Sequence, residues 1–130
     1  MSTDHVPSDL HYTKDHEWVR REGDAVVLGI TAHAVDQLGD ITMISPKAIG
    51  TRVAAGDAAC DIDSVKVAAQ LYSPVGGTIT AANGELDASP ELVNQDPYGR
   101  GWMVKIDLAD AGELAGLMDA DAYREFLATT

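Results

Sequence analysis

The chain has 130 residues, 45% hydrophobic and 23% charged, which suits one soluble globular domain with a sizeable core and is too apolar for a disordered segment. Twenty-one acidic side chains against nine basic ones give a net charge of −12, so nucleic acid and anionic membrane surfaces are excluded as natural partners. A single cysteine, Cys60, allows no internal disulfide, and no apolar run reaches the length of a membrane span. The N-terminal residues carry neither the basic stretch nor the apolar stretch of a signal peptide, so a cytoplasmic location is expected.

Residues 1–9 are polar, include Pro7 and read as a flexible tail; residues 10–130 read as a single domain. Two strand-like runs follow, 17–20 and 25–30, parted by the turn-former Gly23-Asp24. Thr31 is a helix cap, and the spacing predicts a short helix over 32–38 that Gly39 closes. Residues 40–44 are β-rich. Short runs over 51–53, 58–63, 67–72 and 78–81 then alternate with turn signals, among them Ala55-Gly56-Asp57, Gly76-Gly77 and Asn83-Gly84. Asn-Gly is a strong signal for a two-residue hairpin. A turn every eight to ten residues points to a small antiparallel sandwich or barrel. A last strand is expected over 102–107 and helices over 111–118 and 121–128, the second with Tyr123, Phe126 and Leu127 on one face.

No catalytic constellation emerges. His5, His11, His16 and His33 form no metal-binding pair, and Cys60 has no partner at ligand spacing. There is neither a nucleophile elbow nor a phosphate-binding loop. The many carboxylates are those of an acidic surface, so the chain reads as a non-enzyme without a metal. The anomaly is lysine usage. Only Lys14, Lys47, Lys66 and Lys105 occur, and between Arg52 and Arg100 Lys66 is the sole basic residue among seven acidic ones. It falls at the tight link between two runs that would pair as a hairpin. Composition alone also accommodates a solubilising turn lysine there, worth little to stability.

The residues around it carry a resemblance. Asp63-Ser-Val-Lys66, Tyr72-Ser-Pro-Val-Gly-Gly77 and Asn83 resemble the lipoyl-lysine segment of the glycine cleavage system H-protein family. His16-Glu-Trp18, Gly29-Ile-Thr31, His33-Ala34, Leu38-Gly-Asp40, Ala55-Gly-Asp57, Ser89-Pro-Glu-Leu-Val-Asn94 and Asp96-Pro-Tyr98 followed by Gly101-Trp102 match that family's blocks in order, from about Leu10 to Phe126. Biotin carriers share a hairpin lysine but flank it with methionines; here the flanks are Val65 and Val67.

The resemblance implies a mainly β fold, a barrel-sandwich hybrid of two small antiparallel sheets with a short internal helix and C-terminal helices. It implies covalent lipoate on Lys66, with Asp63, Ser64 and Val65 forming the attachment turn. Glu17, Gln70, His33 and Asp40 would line the groove and docking face of the arm. The implied role is a swinging-arm carrier of an aminomethyl group and reducing equivalents. Its partners would be a lipoate ligase or lipoyl transferase, glycine decarboxylase, aminomethyltransferase and dihydrolipoyl dehydrogenase, and it would be a monomer. Some positions depart from the family: Asp63 replaces a glutamate, Ala69 a serine, Gln70 an aspartate and Ala32 an acidic residue, while Pro46 comes one position early. These changes cluster around the arm. They keep open an alternative, the related lipoate-binding proteins of a heterodisulfide-reductase-like sulfur-oxidation complex or a lipoate relay.

Overall fold

The computed structural model of the chain describes residues 6–129. Its strands are β1 (His11–Tyr12), β2 (Glu17–Glu22), β3 (Ala25–Ile30), β4 (Ile41–Pro46), β5 (Arg52–Val53), β6 (Ala58–Ser64), β7 (Ala68–Tyr72), β8 (Gly77–Ala82) and β9 (Val104–Leu108). The helices are α1 (Ala32–Leu38), α2 (Glu85–Ala88), α3 (Leu92–Gln95) and α4 (Ala120–Thr129), with a 3-10 turn at Ala111–Gly116. All pairings are antiparallel. One sheet has the order β1-β2-β3-β9-β8-β5 and the other β4-β6-β7. This is the expected class: two sheets, a short internal helix and a C-terminal helix.

The six-stranded sheet is covered on both faces, which explains why β3 reads as an unbroken apolar run rather than an alternating one. Val19, Val26 and Leu28 face the three-stranded sheet and meet Ile44, Ile62 and Leu71 in the main core. Trp18 and Val27 face the other way, into a second cluster with Tyr12 and with Tyr123 of α4. Gly29 lies opposite Trp18 in the register, and a Cβ there would come within 2.6 Å of the indole.

Local signals set several boundaries. Gly23, at φ +65°, closes the β2–β3 hairpin as half of a two-residue turn. The hydroxyl of Thr31 accepts from the Ala34 N–H at 3.3 Å, and Gly39 ends α1 at φ +76°. Asn83-Gly84, in contrast, makes no hairpin. Gly84 sits at φ −66°, and the chain runs on into α2 and α3, neither foreseen, before returning as β9. The Asn83 side chain is buried and spent elsewhere: its amide donates to the carbonyls of Arg100 (2.7 Å) and Trp102 (2.9 Å) and its oxygen accepts from the Glu85 N–H. The helix expected over 111–118 is a 3-10 turn that ends at Gly116.

Residues 1–5 lie outside the described residues. Val6 is buried, its carbonyl accepts from Arg124, and the Pro7 carbonyl accepts from the Tyr12 hydroxyl at 2.6 Å. Residues 6–9 are therefore anchored to the domain.

Candidate functional site at the β6–β7 hairpin

The hairpin joining β6 to β7 carries Lys66 at its tip. Asp63 and Ala68 are its last paired residues, and the Ser64 N–H donates to the Val67 carbonyl at 2.9 Å. The Ser64 hydroxyl accepts from the N–H groups of Lys66 and Val67, both at 3.2 Å, so one side chain satisfies the turn's backbone donors. The Val65 N–H donates to the Asp40 carbonyl at 3.0 Å, which ties the tip to the loop after α1. That loop is itself clamped. Asn94 on α3 donates to the Gly39 carbonyl and accepts from the Ile41 N–H, each at 2.9 Å.

The backbone under Lys66 is thus fixed from three elements while its side chain is exposed and, among the described residues, forms no salt bridge. The stem runs past Gly39, where a Cβ would stand 3.4 Å from the lysine Cε. Glycine there serves both the positive φ and the close approach.

An open groove of about 460 Å³ lies on the outer face of the three-stranded sheet next to the tip. Its floor comes from strand alternation: Ile62 and Leu71 point into the core, so Asp61, Asp63, Ala68 and Gln70 point out. Ser45, Asp61 and Gln70 form one cross-strand row, Asp63 and Ala68 part of the next, and Tyr72 closes the far end. Small side chains at Ser45 and Ala68 leave the space. Gln70 is not free to point along the groove: it donates to Asp61 at 2.9 Å and accepts from the Tyr72 hydroxyl at 3.2 Å.

The other residues singled out from the sequence divide. Asp40 supports Val65 through its carbonyl, with its carboxylate exposed. His33 is half-buried on α1, and its ring packs on His16 at 4.4 Å. His16, the one non-glycine residue at positive φ among the described residues, is bound to the Tyr123 hydroxyl at 2.8 Å; burial and then the His33 ring hold its pKa down.

Glu17 is buried at 2% exposure and does not line the groove beside Gln70. Its carboxylate joins the two sheets, accepting from the Tyr72 N–H of β7 and from the Thr13 hydroxyl. Burial raises its pKa to about 7 against those hydrogen bonds. Cys60 is a buried core residue whose thiol is pushed up to about 12 by burial, which makes it inert. No cluster of three potential metal ligands occurs among the described residues.

Sequence reasoning did not single out Asn94 for the support it gives the tip. Its signal was present only as the end of the Ser89-to-Asn94 block.

An exposed, rigidly mounted lysine beside a groove has the form of an attachment point. The glycine cleavage H-protein family matches residues 10–130. The chain belongs to that family. The glycine cleavage system H protein of Aeromonas salmonicida is 52% identical over 125 residues, covering 95% of this chain and 96% of that one. The corresponding protein of Halorhodospira halophila is 48% identical over 124 residues, with 95% of each chain covered. The fold matches too. A crystal structure of a glycine cleavage system H protein from Mycobacterium marinum superposes with a TM-score of 0.83 at 31% identity, covering 95% of this chain and 98% of that one. These likenesses favour the glycine-cleavage reading over the sulfur-oxidation alternative.

Proposed function

We propose that Lys66 is the lipoyl-attachment residue of this family member. The chain is a non-catalytic carrier of the glycine cleavage system, moving an aminomethyl group and reducing equivalents among glycine decarboxylase, aminomethyltransferase and dihydrolipoyl dehydrogenase. The observation that carries the assignment is the mounting of Lys66: an exposed amine, without a salt bridge among the described residues, on a turn held by Ser64 and by the Asp40 carbonyl.

The residues present fit the group. A lipoate ligase or lipoyl transferase needs an accessible amine at a fixed position, and several enzymes must then reach the same arm. When attached, the dithiolane supplies thiol–disulfide exchange and a sulfur atom that can bear a transferred group. The protein's contribution is presentation. Ser64 and Val65 fix the turn, Asp63 flanks it, and the groove along Asp61 and Gln70 gives an arm a surface to lie on. Glu17 acts at one remove, by pinning the end of β7 at Tyr72. Tethering makes each transfer effectively intramolecular, at concentrations on the order of millimolar.

Acylation removes one positive charge from a chain that already stands at −12, which favours a separate, soluble, monomeric carrier over self-association. No described helix is long and apolar enough to cross a membrane, and a cytoplasmic location goes with this reading.

The test is incubation with lipoate and lipoate ligase followed by intact-protein and peptide mass spectrometry. One lipoyl adduct, on Lys66, is expected. An adduct on Lys14, Lys47 or Lys105, or none on any residue, overturns the assignment.

A further inference from the structure

Five large hydrophobic side chains are exposed among the described residues; three of them, Met43, Val65 and Val67, lie at or beside the Lys66 turn, and a fourth, Tyr72, lies at the far end of the same sheet face. Met43 (53% exposed) and Tyr72 (38%) are on the outer face of the three-stranded sheet, while Val65 (65%) and Val67 (50%) flank Lys66 at the tip of its hairpin. Met43 lies directly across from Asp63 in the β4–β6 register, one step from the turn. The fifth, Ile49, stands apart in the loop after β4. Scattered exposed apolar residues need no explanation, but a concentration of them marks a contact surface.

The charge on the same surface is one-sided. Strands β4, β6 and β7 contain no lysine or arginine, and Asp40, Asp61 and Asp63 take part in none of the salt bridges among the described residues. Lys66 is the single cation of the hairpin, and acylation would neutralise it.

We infer that this surface, an apolar collar around Lys66 beside an acidic floor, is the docking face for a partner protein that presents an apolar hollow rimmed by arginine or lysine. Met43 and Val67 fill the hollow, and Asp61 and Asp63 accept from the rim. A second copy of this chain does not fit, because both faces would be acidic on molecules of net charge −12. Nucleic acid and anionic lipid are excluded by the same sign. The inference rests on Lys66 being the attachment residue and adds the chemistry of what the loaded hairpin meets.

The experiment uses the full lipoylated chain as substrate for a bacterial glycine decarboxylase, with the lipoylated fraction of each sample fixed by mass spectrometry and folding checked by circular dichroism. The collar variant is Met43→Ser with Val67→Ser, the floor variant Asp61→Asn with Asp63→Asn, and Ile49→Ser is the control. The collar variant should raise the KM for the carrier at least about five-fold with little change in kcat, the size of loss that marks a true interface anchor. Met43→Leu, which keeps the apolar contact, should restore most of the affinity to a Val67 protein. The floor variant should flatten the rise of KM between about 50 and about 300 mM salt, because screening then has fewer charge pairs to weaken.

A KM that moves no further in both variants than in the Ile49→Ser control overturns the docking face, while lipoylation and turnover of the parent leave the carrier assignment standing. A parent chain that takes no lipoyl group on Lys66 overturns both.

Discussion

Glu17 offers the sharpest test of how the two sheets are joined. Its carboxyl has an ordinary value of 4.5 and is raised to about 7 in the folded protein, chiefly by burial. Between those values the folded state holds a proton that the unfolded chain has released, so stability falls as pH rises through the window and the full penalty stands above pH 7. A shift of that size corresponds to about 3 kcal/mol. The substitution Glu17→Gln keeps the shape, leaves an amide oxygen for the Tyr72 N–H, and cannot ionise. Near pH 5 the two proteins should unfold at similar urea concentrations, and near pH 8 the variant should be more stable by roughly 1–3 kcal/mol.

Urea unfolding followed by tryptophan fluorescence across that range measures it, provided each transition is two-state. His16 acts with the opposite sign: burial holds its pKa below the ordinary value in the fold, so its contribution grows as pH rises. Taking the difference between parent and variant cancels that contribution. A difference that stays flat from pH 5 to pH 8, or that favours the parent at high pH, would show that Glu17 sits in the fold as a comfortable anion and would refute the reasoning.

Other outcomes follow from single contacts. Lys66→Arg keeps the charge but offers no acylable amine, so circular dichroism should be unchanged while no lipoyl adduct forms at that position. Gln70→Asp removes the amide that donates to Asp61 and sets two carboxylates opposite each other across β6 and β7; urea unfolding at pH 7 should show a loss of about 0.5–1 kcal/mol that disappears below pH 4. Gly29→Ala drives a methyl group against the buried Trp18 indole, which the Pro97 carbonyl holds in place through its N–H at 2.8 Å. Calorimetry should find the variant less stable by about 1–3 kcal/mol, with a Tm several degrees lower.

Where neighbours in the chain set a boundary, that boundary is legible in the sequence. The Thr31 cap and the Gly39 stop bracket α1 because both act within one turn of their own residues. Gly23-Asp24 makes its hairpin for the same reason. Asn83-Gly84 carries an equally good local signal and does something else, because the side chain of Asn83 is claimed by two carbonyls some 17 and 19 residues further on. A dipeptide cannot report a partner at that distance. Helices α2 and α3, at four residues each, are too short to show a period, so their existence was illegible as well.

The site divides along the same line. An attachment lysine needs a tight turn, a hydroxyl to satisfy it and few competing cations, and all three sit within a few residues of Lys66. Its setting does not. The groove exists because small residues, Ser45 on β4 and Ala68 on β7, fall in neighbouring rows on the outer face on either side of β6, and the tip is steady because Asn94 and Asp40, distant in sequence, close on it. Glu17 shows how far the setting of a single residue depends on the tertiary fold. Expected as a charge lining the arm's groove, it is buried between the sheets, and its carboxylate is spent on the backbone of β7. Its link to this groove therefore runs through the position of Tyr72, whose hydroxyl donates to Gln70, rather than through a charge facing the groove.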